Sequence, residues 1–394
     1  MSAPEPRVLT FYSNLDEYRD RALMLRAAAA QVGHVTLLTS QVSDALRAEL
    51  AHPNLTVEQV AVRLPRTPLQ AMLAATLSAR LLRERYALVH DTQAFLLPLF
   101  ATLRLWPRRP ALLTSTFTSS YVWYEDLRHS EPYRSLPYLR LRWEHHFEEK
   151  AQCRLADAVS VFGEGHRAPL ARCHGSDIER VHSLPNCVDP ERFSPVEPDA
   201  SGLDLAPGAR LLLYMGNVFR YKGSFTLLRA FAVARRRFPN AVLALVGGVH
   251  AEERAPLQAE VDALGLRDAV RFIDRVSRDR VRGLLSAADA FVFPSWMEGS
   301  PRAVIEAMAC ERPIVASRLP GVQALDPREA FMRLCPPRDT AALAAALEAH
   351  LASTPEERAQ RGSAARARFL DFHTPAAASV PLVGLWRSLT QAGG

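Results

Sequence analysis

The segment Phe293-Pro294-Ser295-Trp296-Met297-Glu298-Gly299-Ser300-Pro301 runs into Arg302-Ala303-Val304-Ile305-Glu306-Ala307-Met308-Ala309, placing two carboxylates around a serine–proline pair. Serine at an N-cap followed by proline at the first helical position is a strong helix opening, so a helix is predicted from Pro301. The first N–H groups of such a helix and the positive end of its dipole form an anion site suited to phosphate. Glu298 stands ahead of this opening, and Glu306 stands inside it, about 7.5 Å along the axis at the α-helical rise. A carboxylate repels phosphate but accepts hydrogen bonds from hydroxyls, so one glutamate suits a sugar and the other the vicinal diol of a ribose. The spacing fits a sugar nucleotide laid across the helix start. It fits equally an acid that stabilises a helix start, with a surface glutamate behind it.

A second group follows a predicted strand: Tyr214-Met215-Gly216-Asn217-Val218-Phe219-Arg220-Tyr221-Lys222-Gly223. Gly216 at the strand end permits close backbone approach, and a cation beyond it can reach a diphosphate. Lysine is a compact point charge that can follow charge onto a leaving group, although a loop lysine is ordinarily just solvated. Here composition matters, because of 48 basic side chains only Lys150 and Lys222 are lysines.

Short apolar runs alternating with helical periodicity must position these residues, the pattern of parallel sheets covered by helices. Strands are predicted at 8–12, 35–39, 56–62, 87–90, 111–115 and 158–162, then at 210–215, 241–246, 269–273, 290–293, 313–316 and 331–334. Helices are predicted in the first half at 16–31, 69–85 and 140–155. Prolines crowd the aperiodic stretch from Pro185 to Pro207, which marks a domain boundary. The expected organisation is an α/β chain with an N-terminal Rossmann-like domain over 1–200, a second over 201–375 and a C-terminal helix over 376–394 that packs back on the first. Two such domains make a cleft at the carboxyl ends of their sheets, where ligands of open α/β sheets bind.

The chain has 394 residues, 48% hydrophobic and 23% charged, which fits a folded globular protein rather than disorder. A formal charge of +6 spread over both halves leaves no basic domain or tail, so nucleic acid is not an expected partner. The arginine bias has the look of a GC-rich bacterial genome. The basic, aromatic stretches from Arg104 to Arg109 and from Arg134 to Trp143 allow peripheral contact with phospholipid headgroups, the alternative being solvated arginines over buried stems. Five scattered cysteines show neither a disulfide framework nor a zinc pattern, and the longest apolar run, Ala94 to Leu103, is too short to span a bilayer. With a polar start and no charged-then-apolar leader, the expected location is the cytoplasm, with the inner membrane face left open.

The second half resembles a family 4 retaining glycosyltransferase of the GT-B fold, two Rossmann-like domains facing each other across a cleft. The resemblance rests on Gly216 with Lys222-Gly223, on Leu245-Val246-Gly247-Gly248, and on Val270-Arg271-Phe272 running into the loop from Asp274 to Ser277. It rests further on Ala288-Asp289-Ala290-Phe291-Val292-Phe293-Pro294-Ser295, and above all on Glu298-Gly299-Ser300-Pro301 through Glu306 to Pro313-Ile314-Val315-Ala316. Pro185-Asn186-Cys187-Val188-Asp189 is similar to the family's segment before the linker, with Cys187 where glycine is usual. The resemblance implies that Lys222 binds the donor diphosphate, that Glu298 and the backbone of Gly299, Ser300 and Pro301 hold the donor sugar and phosphates, and that Glu306 holds the ribose. It implies that the loop bearing Arg275 and Val276 holds the base. Where family members often carry an arginine after the first glycine, this chain has Asn217, and Arg220 is the substitute candidate.

In the first half Ala87-Leu88-Val89-His90-Asp91 and Ala156-Asp157-Ala158-Val159 are similar to family strands. The loop Ser13-Asn14-Leu15-Asp16 lacks the usual glycines, and Thr116 stands where a histidine near the donor sugar is common. Ser13, Asn14, His90 and Thr116 are therefore the acceptor-side candidates, with His90 a base or a structural histidine at a strand end and Asp91 a weak candidate nucleophile. The expected activity is a hexosyltransferase that moves a sugar with retention to a glycan, lipid-linked or small-molecule acceptor in cell-surface polysaccharide or glycolipid synthesis. No cofactor or metal is expected, and no D-x-D triplet occurs in the chain. The alternatives are a nucleotide-sugar hydrolase, a sugar phosphorylase, or a non-catalytic sugar-nucleotide-binding scaffold.

Overall fold

Continuous apolar runs such as Ala290-Phe291-Val292-Phe293 form strands buried on both faces, which is what a parallel sheet between two helical layers requires. The computed structural model describes residues 6–60, 80–81, 83–92, 96–116, 147, 149–151, 153–175, 177–249 and 251–391. The chain divides into two units, Met1–Cys187 with Pro375–Gly394, and Val188–Thr374.

The first unit contains β1 (Arg7–Asn14), α1 (Arg19–Ala29), β2 (His34–Gln41), α2 (Asp44–Glu49), β3 (Leu55–Gln59), β4 (Leu88–Asp91), α3 (Leu97–Leu103), β5 (Ala111–Thr116), β6 (Ala158–Phe162), α4 (Glu164–His174) and β7 (Val181–Leu184). Its strands pair in parallel in the order β3-β2-β1-β4-β5-β6-β7. The second unit contains β8 (Arg210–Met215), α5 (Ser224–Arg237), β9 (Ala241–Val246), α6 (Ala251–Ala263), β10 (Val270–Ile273), α7 (Arg278–Ala287), β11 (Ala290–Phe293), α8 (Arg302–Ala309), β12 (Ile314–Ser317), α9 (Pro320–Gln323), β13 (Met332–Cys335), α10 (Thr340–Leu351) and α11 (Pro355–Phe372). Its parallel order is β10-β9-β8-β11-β12-β13.

The last helix, α12 (Pro375–Gln391), returns to the first unit. Its Trp386 is fully buried in one core with Val8, Tyr12 and Leu25. Ser379 Oγ accepts from Gln31 Nε2 at 2.8 Å, and Arg387 Nη2 donates to the Gln31 carbonyl at 2.6 Å. The change of unit falls at Cys187/Val188, where the sequence suggested 200/201. Val188 and Phe193 are buried in the second unit's core with Leu203 and Leu211, so burial places this segment in the second unit despite its prolines.

Strand β7 was not among the predicted strands. It is a short edge strand whose middle, His182-Ser183, is polar, so no apolar run announces it. Strand β3 ends at Gln59, short of the predicted Val62. The predicted helices at 69–85 and 140–155 fall largely outside the described residues.

Candidate active site

In the second sheet, strand order reverses between neighbours β8 and β11, and the crevice beyond the carboxyl ends of such a pair is where open α/β sheets take ligands. The two segments leaving this point are Gly216 to Gly223 and Pro294 to Pro301. Their backbones are tied twice. Trp296 N donates to the Tyr221 carbonyl at 2.9 Å. Gly223 has φ of 80°, and a Cβ there would lie 2.0 Å from the Pro294 carbonyl oxygen, so this position tolerates only glycine. Farther on, a Cβ on Gly321, in α9, would lie 2.1 Å from the Gly299 carbonyl oxygen, so α9 packs directly against the loop that carries Glu298.

These ties bring together the two residues singled out for charge. Lys222, at the end of the 3₁₀ turn Arg220–Lys222, donates from Nζ to Glu298 Oε1. Both side chains are largely buried, 19% and 10% exposed. The same Oε1 accepts from Ser295 Oγ at 3.1 Å. Burial, reinforced by the nearby Glu298 charge, pushes the Tyr214 phenol above its ordinary range, so it remains a donor and bonds the Asn217 carbonyl at 2.8 Å.

Helix α8 starts one residue later than predicted. Pro301 is extended, with ψ of 96°, and acts as the N-cap itself. Its carbonyl accepts from Val304 N at 3.1 Å and Ile305 N at 3.3 Å, and no side chain caps this end. Ser300 is thus a loop residue without the cap role expected of it. Glu306 accepts from Arg302 Nε at 3.0 Å, one turn back on the same helix.

The remaining donor-side candidates spread over the neighbouring loops. Asn217 Oδ1 accepts from Arg275 Nη2 at 3.4 Å, which links the loops after β8 and β10. Val276 packs on the core while Arg275 is exposed. The Arg220 guanidinium lies 4.2 Å from the centre of the Phe225 ring, whereas Lys222 makes the contact with Glu298. Sequence reasoning gave no role to Ser295, Trp296 or Gly321. The first two sit within the quoted motif and carried that signal; Gly321 is remote in sequence, and no local pattern points to it.

Family models divide the chain at the same place as its two sheets. Glycosyltransferase Family 4 matches residues 22–192 and Glycosyl transferases group 1 matches residues 198–368. The chain belongs to these glycosyltransferases. The D-inositol 3-phosphate glycosyltransferase 2 of Catenulispora acidiphila is 34% identical over 176 residues, 42% of this chain and 41% of that protein. The D-inositol 3-phosphate glycosyltransferase of Streptomyces scabiei is 31% identical over 231 residues, 56% and 51% of the two chains. The chain spans about two fifths to half the length of these curated relatives. Among solved structures, sucrose-phosphate synthase from Thermosynechococcus elongatus superposes with a TM-score of 0.71 at 23% identity, covering 98% of this chain and 100% of that one. Anabaena HepE in complex with UDP and glucose gives 0.67 at 17% identity, covering 97% and 100%. The fold is GT-B.

The first unit's strand order reverses between β1 and β4. The loop after β1 turns without glycine because Asn14 Oδ1 accepts from Asp16 N at 3.0 Å and Glu17 N at 3.3 Å, an Asx turn. The Ser13 carbonyl accepts from the hydroxyls of Thr39 and Ser40. Of the two readings of His90, base or structural histidine, its 1% exposure favours the second. Its Nε2 lies 2.7 Å from Ser115 Oγ, which lies 2.5 Å from Ser160 Oγ, and the Trp386 ring meets it edge-on at 6.0 Å. Burial pushes its pKa down to about 3, so it is a neutral structural histidine. Asp91 is equally buried and accepts from Leu96 N at 3.0 Å, ahead of α3. Thr116 is buried, and its Oγ1 has no hydrogen-bond partner among the described residues.

Among the described residues no three His, Cys, Asp or Glu side chains gather as a metal group, and no helix is long and apolar enough to cross a membrane.

Proposed function

We propose that this chain transfers a sugar from a nucleoside-diphosphate sugar to an acceptor hydroxyl, with retention of anomeric configuration. The carrying observation is the Lys222 ammonium on the Glu298 carboxylate at the β8/β11 reversal, beside the start of α8. The diphosphate lies between Lys222 and the first turn of α8, where a cation and a helix dipole take up charge as the leaving group departs. Glu298 then accepts from hydroxyls of the donor sugar, Glu306 from the ribose, and the loop of Arg275 and Val276 borders the base. Arg220 joins as a second diphosphate ligand by leaving the Phe225 ring. With His90 buried and neutral, the acceptor's proton is assigned to the departing diphosphate.

The HepE structures hold UDP, UDP with glucose, and UDP-glucose, which favours a uridine donor here as well. No metal is required, since Lys222 and the helix start supply the positive charge. The reaction belongs in the cytoplasm, and Cys153, Cys187, Cys310 and Cys335 being buried and unbridged is consistent with a reducing setting. Cell-surface polysaccharide or glycolipid is the acceptor class, with peripheral membrane contact through the stretch around Trp106.

Donor turnover with and without acceptor tests this reading. Nucleotide release that depends on acceptor supports the transferase. Release without acceptor assigns the chain to hydrolysis. Binding without release supports a scaffold, the reading favoured by Asn217 and Thr116 standing in place of the usual arginine and histidine.

A further inference from the structure

Ser295 is 1% exposed and sits directly ahead of the loop that carries Glu298. Its hydroxyl has a single proton and two acceptors within reach, the Met297 carbonyl at 3.2 Å and Glu298 Oε1 at 3.1 Å. Lys222 takes the same carboxylate oxygen. A carboxylate oxygen has room for both donors, but the two differ in what a bound diphosphate does to them. The diphosphate carries more negative charge than a carboxylate and draws the mobile ammonium toward itself. The hydroxyl, fixed by a buried Cβ next to β11, stays where it is.

Building on the donor site proposed above, we propose that Ser295 is a positioning residue: it holds the Glu298 carboxylate on the donor sugar once Lys222 has moved to the diphosphate. While Lys222 covers Glu298, the serine proton is shared with Met297. When the ammonium leaves, the carboxylate becomes the stronger acceptor, because a hydrogen bond to a charged oxygen outweighs one to a carbonyl. Glu298 then loses its ion pair without losing its orientation. The exchange also makes sugar recognition depend on the diphosphate, since Glu298 is released for sugar hydroxyls only after Lys222 is recruited. A sugar presented without its diphosphate meets an occupied carboxylate.

The test is titration of the full chain with UDP and UDP-glucose, and with GDP and GDP-mannose as a second pair, in the wild type, Ser295→Ala, Ser295→Thr, Glu298→Ala and the Ser295→Ala/Glu298→Ala double variant. Ser295→Ala is expected to weaken the nucleotide sugar about five- to tenfold more than it weakens the bare nucleotide, which recruits Lys222 without presenting a sugar to Glu298. Ser295→Thr, which keeps the hydroxyl, restores the difference. In the Glu298→Ala background Ser295→Ala adds less than about twofold, because the group it positions is gone. Equal weakening of nucleotide and nucleotide sugar by Ser295→Ala, or the same penalty with and without Glu298, overturns the positioning role. A wild type that binds none of the four ligands sinks the donor site itself, and the positioning role with it.

Discussion

The two sheets reverse strand order at corresponding places, between β1 and β4 and between β8 and β11, but what the chain leaves there differs. At the second, a lysine and a glutamate from separate loops meet beside a helix start. At the first, the polar groups are spent on the fold. Asn14 makes its own turn, Asp91 accepts from Leu96 N, Thr92 Oγ1 donates to the Phe11 carbonyl, and His90 is inside the sheet. A shared topology thus supplies a place for ligand, and the residues after each strand decide whether charged side chains gather there to meet one.

The sharpest break of this contrast is Lys222→Ala or Glu298→Ala. Either is expected to lower turnover about 10²- to 10³-fold with little change in melting temperature, whereas His90→Gln retains turnover. A His90→Gln enzyme as inactive as the lysine variant would erase the difference between the two reversal points. Next in size is Gly223→Ala, which drives a Cβ into the Pro294 carbonyl at a positive φ. It should cost roughly 2–4 kcal/mol in urea unfolding and loosen the Lys222–Glu298 contact.

The buried histidines give a pH signature in both units. His90 is pushed down to about 3 by burial, and His350 likewise by burial and then by Arg210, Arg333 and Arg358, from an ordinary 6.5. Both are neutral in the folded chain, so the unfolded chain protonates first. Their contribution is intact above about pH 6.5 and is lost as pH falls toward 3, about 2 kcal/mol per histidine between pH 6.5 and 5. Urea melts at several pH values should show this slope, and His90→Gln should flatten it. Asn14→Ala removes the Asx turn and should cost about 1 kcal/mol without altering donor affinity. The smallest expected effect is that of EDTA, which should leave turnover unchanged; a loss restored by added divalent metal would move leaving-group stabilisation away from Lys222.

Much of this was legible from local pattern. Apolar runs such as 241–246 and 290–293 mark buried parallel strands, and the spacing of Gly216, Lys222, Glu298 and Glu306 marks the site proposed here for the donor. The start of α8 was displaced by one residue because proline suits both the cap and the first helical position, and the backbone ψ chooses between them. His90 stayed open between base and structural histidine because a histidine at a strand end looks the same in sequence whether it faces solvent or lies under a tryptophan from a helix nearly three hundred residues later.

Alternating periodicity by itself determined the α/β class, the two sheets and the sites at their strand ends, because burial on both faces of a parallel strand demands an unbroken apolar run. Composition marked Lys222, and spacing marked Glu298. That these two touch, that Ser295 shares their oxygen, that α12 covers His90, and that Gly223 and Gly321 must lack a side chain were decided only by tertiary structure. These are contacts between segments far apart in the chain, and distances of a few ångströms between backbones are set by packing, which no local pattern encodes.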